Sequence, residues 1–70
     1  MKTEHVAFIL DSVPDETVVA AVTEALTRMN GVFEVFVDAD SRRIAVEYDA
    51  ERMDLAVLRG TIEDVGCRVR

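Results

Sequence analysis

The sequence has little of what small proteins use to reinforce a fold. Its 70 residues contain one cysteine, one proline, three glycines and no tryptophan. A single cysteine excludes an intramolecular disulfide framework, so the chain does not need an oxidising compartment. Three phenylalanines and one tyrosine are the only aromatic residues, so the core must be built from Val, Leu, Ile and Ala. We therefore expect one domain, residues 1–70, held by one aliphatic core.

Long apolar runs are also missing. No stretch approaches the roughly 20 residues that cross a bilayer. The opening Lys-Thr-Glu-His segment, residues 2–5, does not resemble a signal peptide. The sequence therefore predicts no membrane insertion and a cytoplasmic location.

Basic charge is scarce. Eight Lys and Arg face fourteen Asp and Glu, for a net charge of −6. A protein of this sign repels nucleic acid and anionic lipid unless it carries a dedicated basic patch. Arg42 with Arg43, and Arg68 with Arg70, are too small for that purpose. The acidic charge would suit a basic protein partner or a cationic ligand, but in most proteins such a charge only maintains solubility.

The segment from Val18 to Val37 organises the chain. Its first part has helical spacing, with apolar residues on one stripe at Val18, Val19, Val22, Ala25, Leu26 and Met29. Gly31 supplies the stop after this helix, because glycine tolerates the left-handed conformation. Upstream, Ser12 and Asp15 resemble a capping box and Pro14 fits a first turn, so the helix should begin between Ser12 and Asp15.

The remaining segments predict strands and a second helix. Alternation indicates three longer strands, whose inward faces are Val6, Phe8 and Leu10, then Phe33, Val35 and Val37, then Ile44, Val46 and Tyr48. Residues 38–41 form a turn that joins the second and third strands as a hairpin. Helix two is expected over residues 50–65, with Leu55, Leu58, Ile62 and Val65 inward, and Gly60 is expected to admit a close neighbour. Gly66 ends that helix, and residues 67–70 form a short last strand.

The resulting order is strand, helix, strand, strand, helix, strand. This order predicts an α+β, ferredoxin-like βαββαβ sandwich, with two helices on one face of a four-stranded antiparallel sheet.

Three stretches, taken in this order, resemble the heavy-metal-associated domain family of copper chaperones and transporter ATPase modules. They are Val22-x-x-Ala25-Leu26-x-x-Met29-x-Gly31-Val32-x-x-Val35-x-Val37, then Ala45-Val46-x-Tyr48-Asp49, then Ile62-Glu63-Asp64-x-Gly66. The resemblance spans nearly the whole chain. It implies the fold and a role related to metal transport, with a metal transporter as one candidate partner.

The family's metal loop has the pattern Gly-Met-Thr-Cys-x-x-Cys before helix one. By register, the resemblance places Asp15 at the first Cys and Val18 at the second. Valine has no ligand atom, so a copper(I) thiolate site of the family type is not expected. The predicted domain therefore has a degenerate loop.

Cys67 offers a different thiol, because the family position after the glycine that ends helix two lies beside the metal loop. Asp15 and Cys67 are therefore the candidate metal ligands. One sulfur and one oxygen suit a divalent ion such as zinc better than Cu(I). The alternative is structural: Cys67 packs as a small hydrophobe and Asp15 caps the helix.

Other chemistry finds little support. His5 has no Cys or His two residues away to share an ion, and Asp11, Asp15 and Glu16 lack EF-hand spacing. There is no catalytic triad and no glycine-rich phosphate loop, so we do not expect an enzyme.

Three hypotheses remain. The first is a metal-handling domain with weak or rewired metal binding. The second is a metal-free interaction or regulatory module on the same fold. The third is a homodimer that joins Cys67 thiols or pairs edge strands.

Overall fold

A computed structural model describes all of residues 1–70. The chain forms five regular elements: β1 (Thr3–Ile9), α1 (Glu16–Thr27), β2 (Val32–Asp38), β3 (Arg43–Asp49) and α2 (Leu55–Asp64). The three strands make one antiparallel sheet in the order β1-β3-β2. The expected α+β arrangement of two helices and an antiparallel sheet is confirmed. Neither helix has the length and apolar character needed to cross a membrane.

The predicted fourth strand is not present as a strand. Residues 67–70 contribute one isolated bridge, between Leu10 and Val69. Its flanking hydrogen bonds run from Asp11 N to Arg68 O at 2.9 Å and from Arg70 N to Ile9 O at 2.8 Å. A strand needs consecutive bridged pairs, and only one residue pair is aligned here. The segment still ties the end of the chain to the end of β1.

One apolar core lies between the helices and the sheet. Leu26, Leu58 and Ile62 from the helices have no exposed surface at all. Burying such a side chain contributes roughly 2 kcal/mol each to folding. The sheet contributes residues that confirm the predicted inward faces of β1 and β3: Phe8, Leu10, Ile44, Val46 and Tyr48.

The prediction of which β2 residues point inward is partly wrong. Val35 and Val37 pack against the core, but Phe33 is 43% exposed and Val32 takes the inward place. The cause is a register shift between Val32 and Glu34 in the pairing with β3. The extra residue of such a bulge moves one side chain to the other face, which simple alternation does not anticipate.

Helix α2 begins five residues later than predicted, at Leu55. The residues before it form a turn, in which Arg52 N and Met53 N both donate to Asp49 O. Asp54 then caps the helix, its Oδ1 accepting from Ala56 N at 3.0 Å. Leu55 is 46% exposed, so its predicted inward position is also wrong.

The glycines divide into two kinds. Gly31 (φ 103°) and Gly66 (φ 109°) have the left-handed backbone expected of helix stops. Gly60 lies inside α2, and a Cβ built there would meet no atom within 4 Å. The predicted close neighbour of Gly60 is therefore absent.

Replacing Gly60 with alanine should stabilise the protein by about 1 kcal/mol, because glycine costs that much in a helix interior and the space is open. Urea unfolding followed by circular dichroism measures the change. Gly66→Ala is the matched control and should destabilise, since alanine resists a φ of 109°. A Gly60→Ala protein less stable than wild type would contradict the open environment.

Asp49 is the one charged residue in the buried set. Its Oδ1 accepts from Lys2 N at 3.1 Å and from Glu51 N at 3.0 Å, and so joins the residue before β1 to the turn after β3. These two backbone hydrogen bonds, first from Lys2 and then from Glu51, hold the pKa of the Asp49 carboxyl below its ordinary value of 3.8.

A lowered folded pKa means that Asp49 stabilises the protein above pH 3.8, and that this contribution disappears as the pH falls through the lower folded value. Asp49→Asn should therefore lower the Tm at neutral pH. On acidification below pH 4, the Tm of the variant should fall less than the Tm of wild type, because the variant has no Asp49 carboxylate to protonate. Thermal unfolding measured from neutral to acidic pH tests this. Asp40→Asn, at an exposed turn position, should keep the wild-type pH profile.

Candidate functional site

A cleft of about 410 Å³ lies where the loop before α1 meets the chain after α2. One wall is formed by Leu10, loop residues 11–15 and Val18, and the other by residues 66–68. The structure thus brings both predicted ligands, Asp15 and Cys67, to one cleft, although they are 52 positions apart in the sequence.

Local backbone geometry builds the second wall. Gly66 turns the chain after α2, and Cys67 N donates to Ile62 O at 3.3 Å. The bridge between Leu10 and Val69 then holds residues 66–69 beside the loop. Because these are backbone contacts, the position of Cys67 relative to the loop does not depend on a flexible side chain.

Asp15 caps helix α1. Its Oδ1 accepts from Val18 N at 2.9 Å, and its backbone oxygen accepts from Val19 N at the same distance. The predicted capping box is wrong, because the N-cap is Asp15 and Ser12 makes no side-chain hydrogen bond. Pro14 precedes the cap and so lies outside the first turn of the helix. A ligand at Asp15 would have to share the carboxylate with this cap.

Cys67 is part of the hydrophobic core, with 9% of its surface exposed. Burial removes water from around the thiol and raises its pKa above the ordinary 9.0. Since thiolates bind metals and thiols do not, the cleft keeps its sulfur in the less reactive form near neutral pH.

Arginine side chains reach the same region. Arg70 Nε lies 3.8 Å from Asp11 Oδ1, and Arg42 Nη1 donates to the backbone oxygen of Asp11 at 3.3 Å. Arg70 therefore competes with a metal for the Asp11 carboxylate, whereas Arg42 occupies only the backbone oxygen. No set of three or more Cys, His, Asp and Glu side chains converges on a point that would hold an ion.

Two other candidate metal ligands, His5 and Glu16, do not line the cleft. His5 is on β1, with its Nε2 at 2.8 Å from Glu47 Oε2. Glu16 occupies the first turn of α1 but does not line the cleft.

A model of the heavy-metal-associated domain matches residues 2–67. The chain belongs to the heavy-metal-associated domain family. It is 38% identical over 50 residues to the copper chaperone CopZ of Staphylococcus haemolyticus, an alignment that covers 71% of this chain and 74% of that one. Sequence resemblance and fold thus agree with the family that the core pattern indicated.

Two solved structures show the same fold at low identity. A CopZ metallochaperone superposes with a TM-score of 0.89 at 22% identity, covering 96% of this chain and all of the other. The Cu(I)-loaded N-terminal domain of a potential copper-translocating P-type ATPase from Bacillus subtilis gives 0.88 at 18% identity, covering 97% and 85%. Both structures thus share the fold of this chain, and the 38% identity to CopZ shows its sequence relation to a copper chaperone.

The sequence did not reveal the arginines at the cleft. Arg68 lines it and Arg70 faces Asp11 because the last residues return along the end of β1. The only sequence signal for them was the alternation of Cys67 and Val69 with Arg68 and Arg70, which indicated a last strand with both arginines on one face.

The Cys67 thiol should react slowly with a disulfide reagent such as Ellman's reagent at neutral pH. A buried thiol with a raised pKa offers little thiolate, so we expect a rate at least about tenfold below that of the urea-unfolded chain. The increase of absorbance with time, recorded with and without urea, gives the two rates. Equal rates would show that the thiol is open to solvent.

Proposed function

We propose that this heavy-metal-associated domain is a metal-transport module with a degenerate loop, which holds a divalent ion such as zinc weakly at Asp15 and Cys67. The observation that carries the proposal is the shared cleft of about 410 Å³ that both side chains line. The ion is cargo, as the chaperone and transporter relatives suggest, and the partner is another protein.

Donor chemistry explains why the proposed ion is divalent. Linear Cu(I) binding uses two soft thiolates, and this chain has one cysteine. One sulfur with a carboxylate oxygen forms half of a tetrahedral zinc shell. Water, or a donor from the partner, would have to complete it.

Weak affinity follows from what each ligand already does. The Asp15 carboxylate accepts the hydrogen bond from Val18 N. The Cys67 thiol must lose a proton whose removal burial disfavours. Metal binding would therefore release a proton and strengthen as the pH rises.

Zinc titration of the metal-free protein, followed by isothermal calorimetry at two pH values, tests the site. We expect wild type to bind weakly, and Cys67→Ala to lose binding altogether. Asp15→Ser should also lose affinity, by about tenfold or more, while keeping the helix, because serine is a good N-cap without a carboxylate.

Two controls define the result. Asp54→Ser changes the cap of α2 in the same way but lies outside the cleft, and should bind zinc like wild type. Asp15→Cys combined with Val18→Cys restores two thiols at the family register and should bind Cu(I), which wild type should not. If Asp15→Ser and Cys67→Ala both bind zinc with the affinity of wild type, Asp15 and Cys67 are excluded as ligands.

The second candidate is a metal-free interaction module. It is favoured by the same two facts that weaken metal binding: the Asp15 carboxylate caps α1, and Cys67 packs in the core. An absence of zinc binding in wild type, together with Cu(I) binding by the double-cysteine variant, would select this candidate and retain the family register.

A further inference from the structure

The face of the sheet that points away from the helices carries an open groove of about 350 Å³. A half-covered antiparallel sheet is normally polar on its solvent face. Here the middle cross-strand row is apolar from edge to edge, with Ala7, Ala45 and Phe36 paired across β1, β3 and β2. Two small side chains leave a depression, and Phe36, 68% exposed, stands beside it. This groove shares no residue with the cleft near Cys67.

A row of charged residues borders the groove on one side. In register across the strands it contains His5, Glu47 and Glu34. Glu47 contacts His5, whereas the Glu34 carboxylate has no hydrogen bond or ion pair in the structure. Like charges directly opposite each other on a sheet are unfavourable. The Glu34 carboxylate therefore lacks a cationic partner, although it lies directly opposite Glu47.

We infer that the outer sheet face is a second docking surface, which takes an extended, basic segment of a partner protein. The occupant places a Lys or Arg against Glu34 and Glu47 and an apolar side chain on Ala7 and Ala45 beside Phe36. Neighbouring rows of a sheet are about 7 Å apart, two residues of an extended strand. The matching pattern is therefore a basic residue followed, two positions later, by an apolar one.

Charge decides between this occupant and a second copy of the chain. The protein carries a net charge of −6, and a second copy would bring the same charge to the face. A basic segment is instead attracted at long range and supplies the cation that Glu34 lacks. Besides His5, Arg43 is the only basic residue that lines the groove. It pairs with Ile9 in the row that borders the groove on the opposite side.

The probe is a blocked peptide of sequence Gly-Ser-Arg-Thr-Leu-Thr-Ser-Gly, titrated into isotopically labelled full-length protein at low ionic strength. We expect amide shifts clustered at Ala7, Phe36, Ala45 and Glu47, which diminish when salt is added. The same peptide with Glu in place of its arginine should bind about tenfold more weakly.

Variants separate the groove from general acidity of the surface. Phe36→Ser should weaken binding roughly tenfold, as expected for losing the central aromatic contact. Phe33→Ser is the matched control, because Phe33 is an exposed phenylalanine of the same strand that does not line the groove, and it should bind like wild type.

The charged border has its own pair of variants. Glu34→Gln should weaken binding about threefold and flatten its salt dependence. Glu63→Gln removes an exposed carboxylate from α2 and should change neither.

Three results would overturn the inference. The first is an absence of shifts with millimolar peptide. The second is equal binding of the Arg and Glu peptides, or of Phe36→Ser and wild type. The third is a concentration-dependent shift of the same amides without peptide, which would make a second copy the occupant.

Discussion

Burial of one thin apolar layer is the constraint on which this structure depends. Ten hydrophobic residues are buried in a chain of 70, and they come from both helices, from β1 and the residue after it, from β3 and from the segment after α2. Strand β2 adds only partly buried residues, Val32, Val35 and Val37. With so little core, each element has only one way to present its apolar side chains. Backbone geometry then follows from this requirement: Gly31 and Gly66 turn the chain sharply enough for both helices to return to the sheet.

The cleft shows how structural roles limit chemistry. Asp15 and Cys67 meet because the loop before α1 and the chain after α2 converge at the end of β1. Yet the carboxylate satisfies a backbone amide at the start of α1, and the thiol fills the edge of the core. Because the Asp15 carboxylate already stabilises the start of α1, it is a weaker candidate ligand than an unpaired carboxylate would be.

The two faces of the sheet differ in what they can recognise. The inner face is committed to the helices, whereas the outer face combines a central apolar row with a border of two neighbouring carboxylates. Ordinary alternation places Glu34 and Phe36 away from the core, and the bulge between Val32 and Glu34 exposes Phe33 as well. The outer face is thus separate from the cleft that Asp15 and Cys67 line.

Alternation and helical spacing predicted the element order, the inward faces of β1 and β3, and the glycine stops, because these depend on local periodicity and on φ at single residues. The sequence also predicted that Asp15 and Cys67 would share a region, through their resemblance to family positions. It missed the bulge that turns Phe33 outward, the turn that delays α2, and the reduction of the last strand to one bridge.

Those features depend on hydrogen bonds between distant residues. Asp49 accepts from Lys2, 47 positions away, and the bridge of Leu10 to Val69 holds the last residues beside the end of β1. By itself, the sequence determined the buried faces of α1, β1 and β3 and the turns at Gly31 and Gly66. Only the tertiary structure decided which polar atoms are already paired, because pairing requires partners that sequence spacing does not bring together.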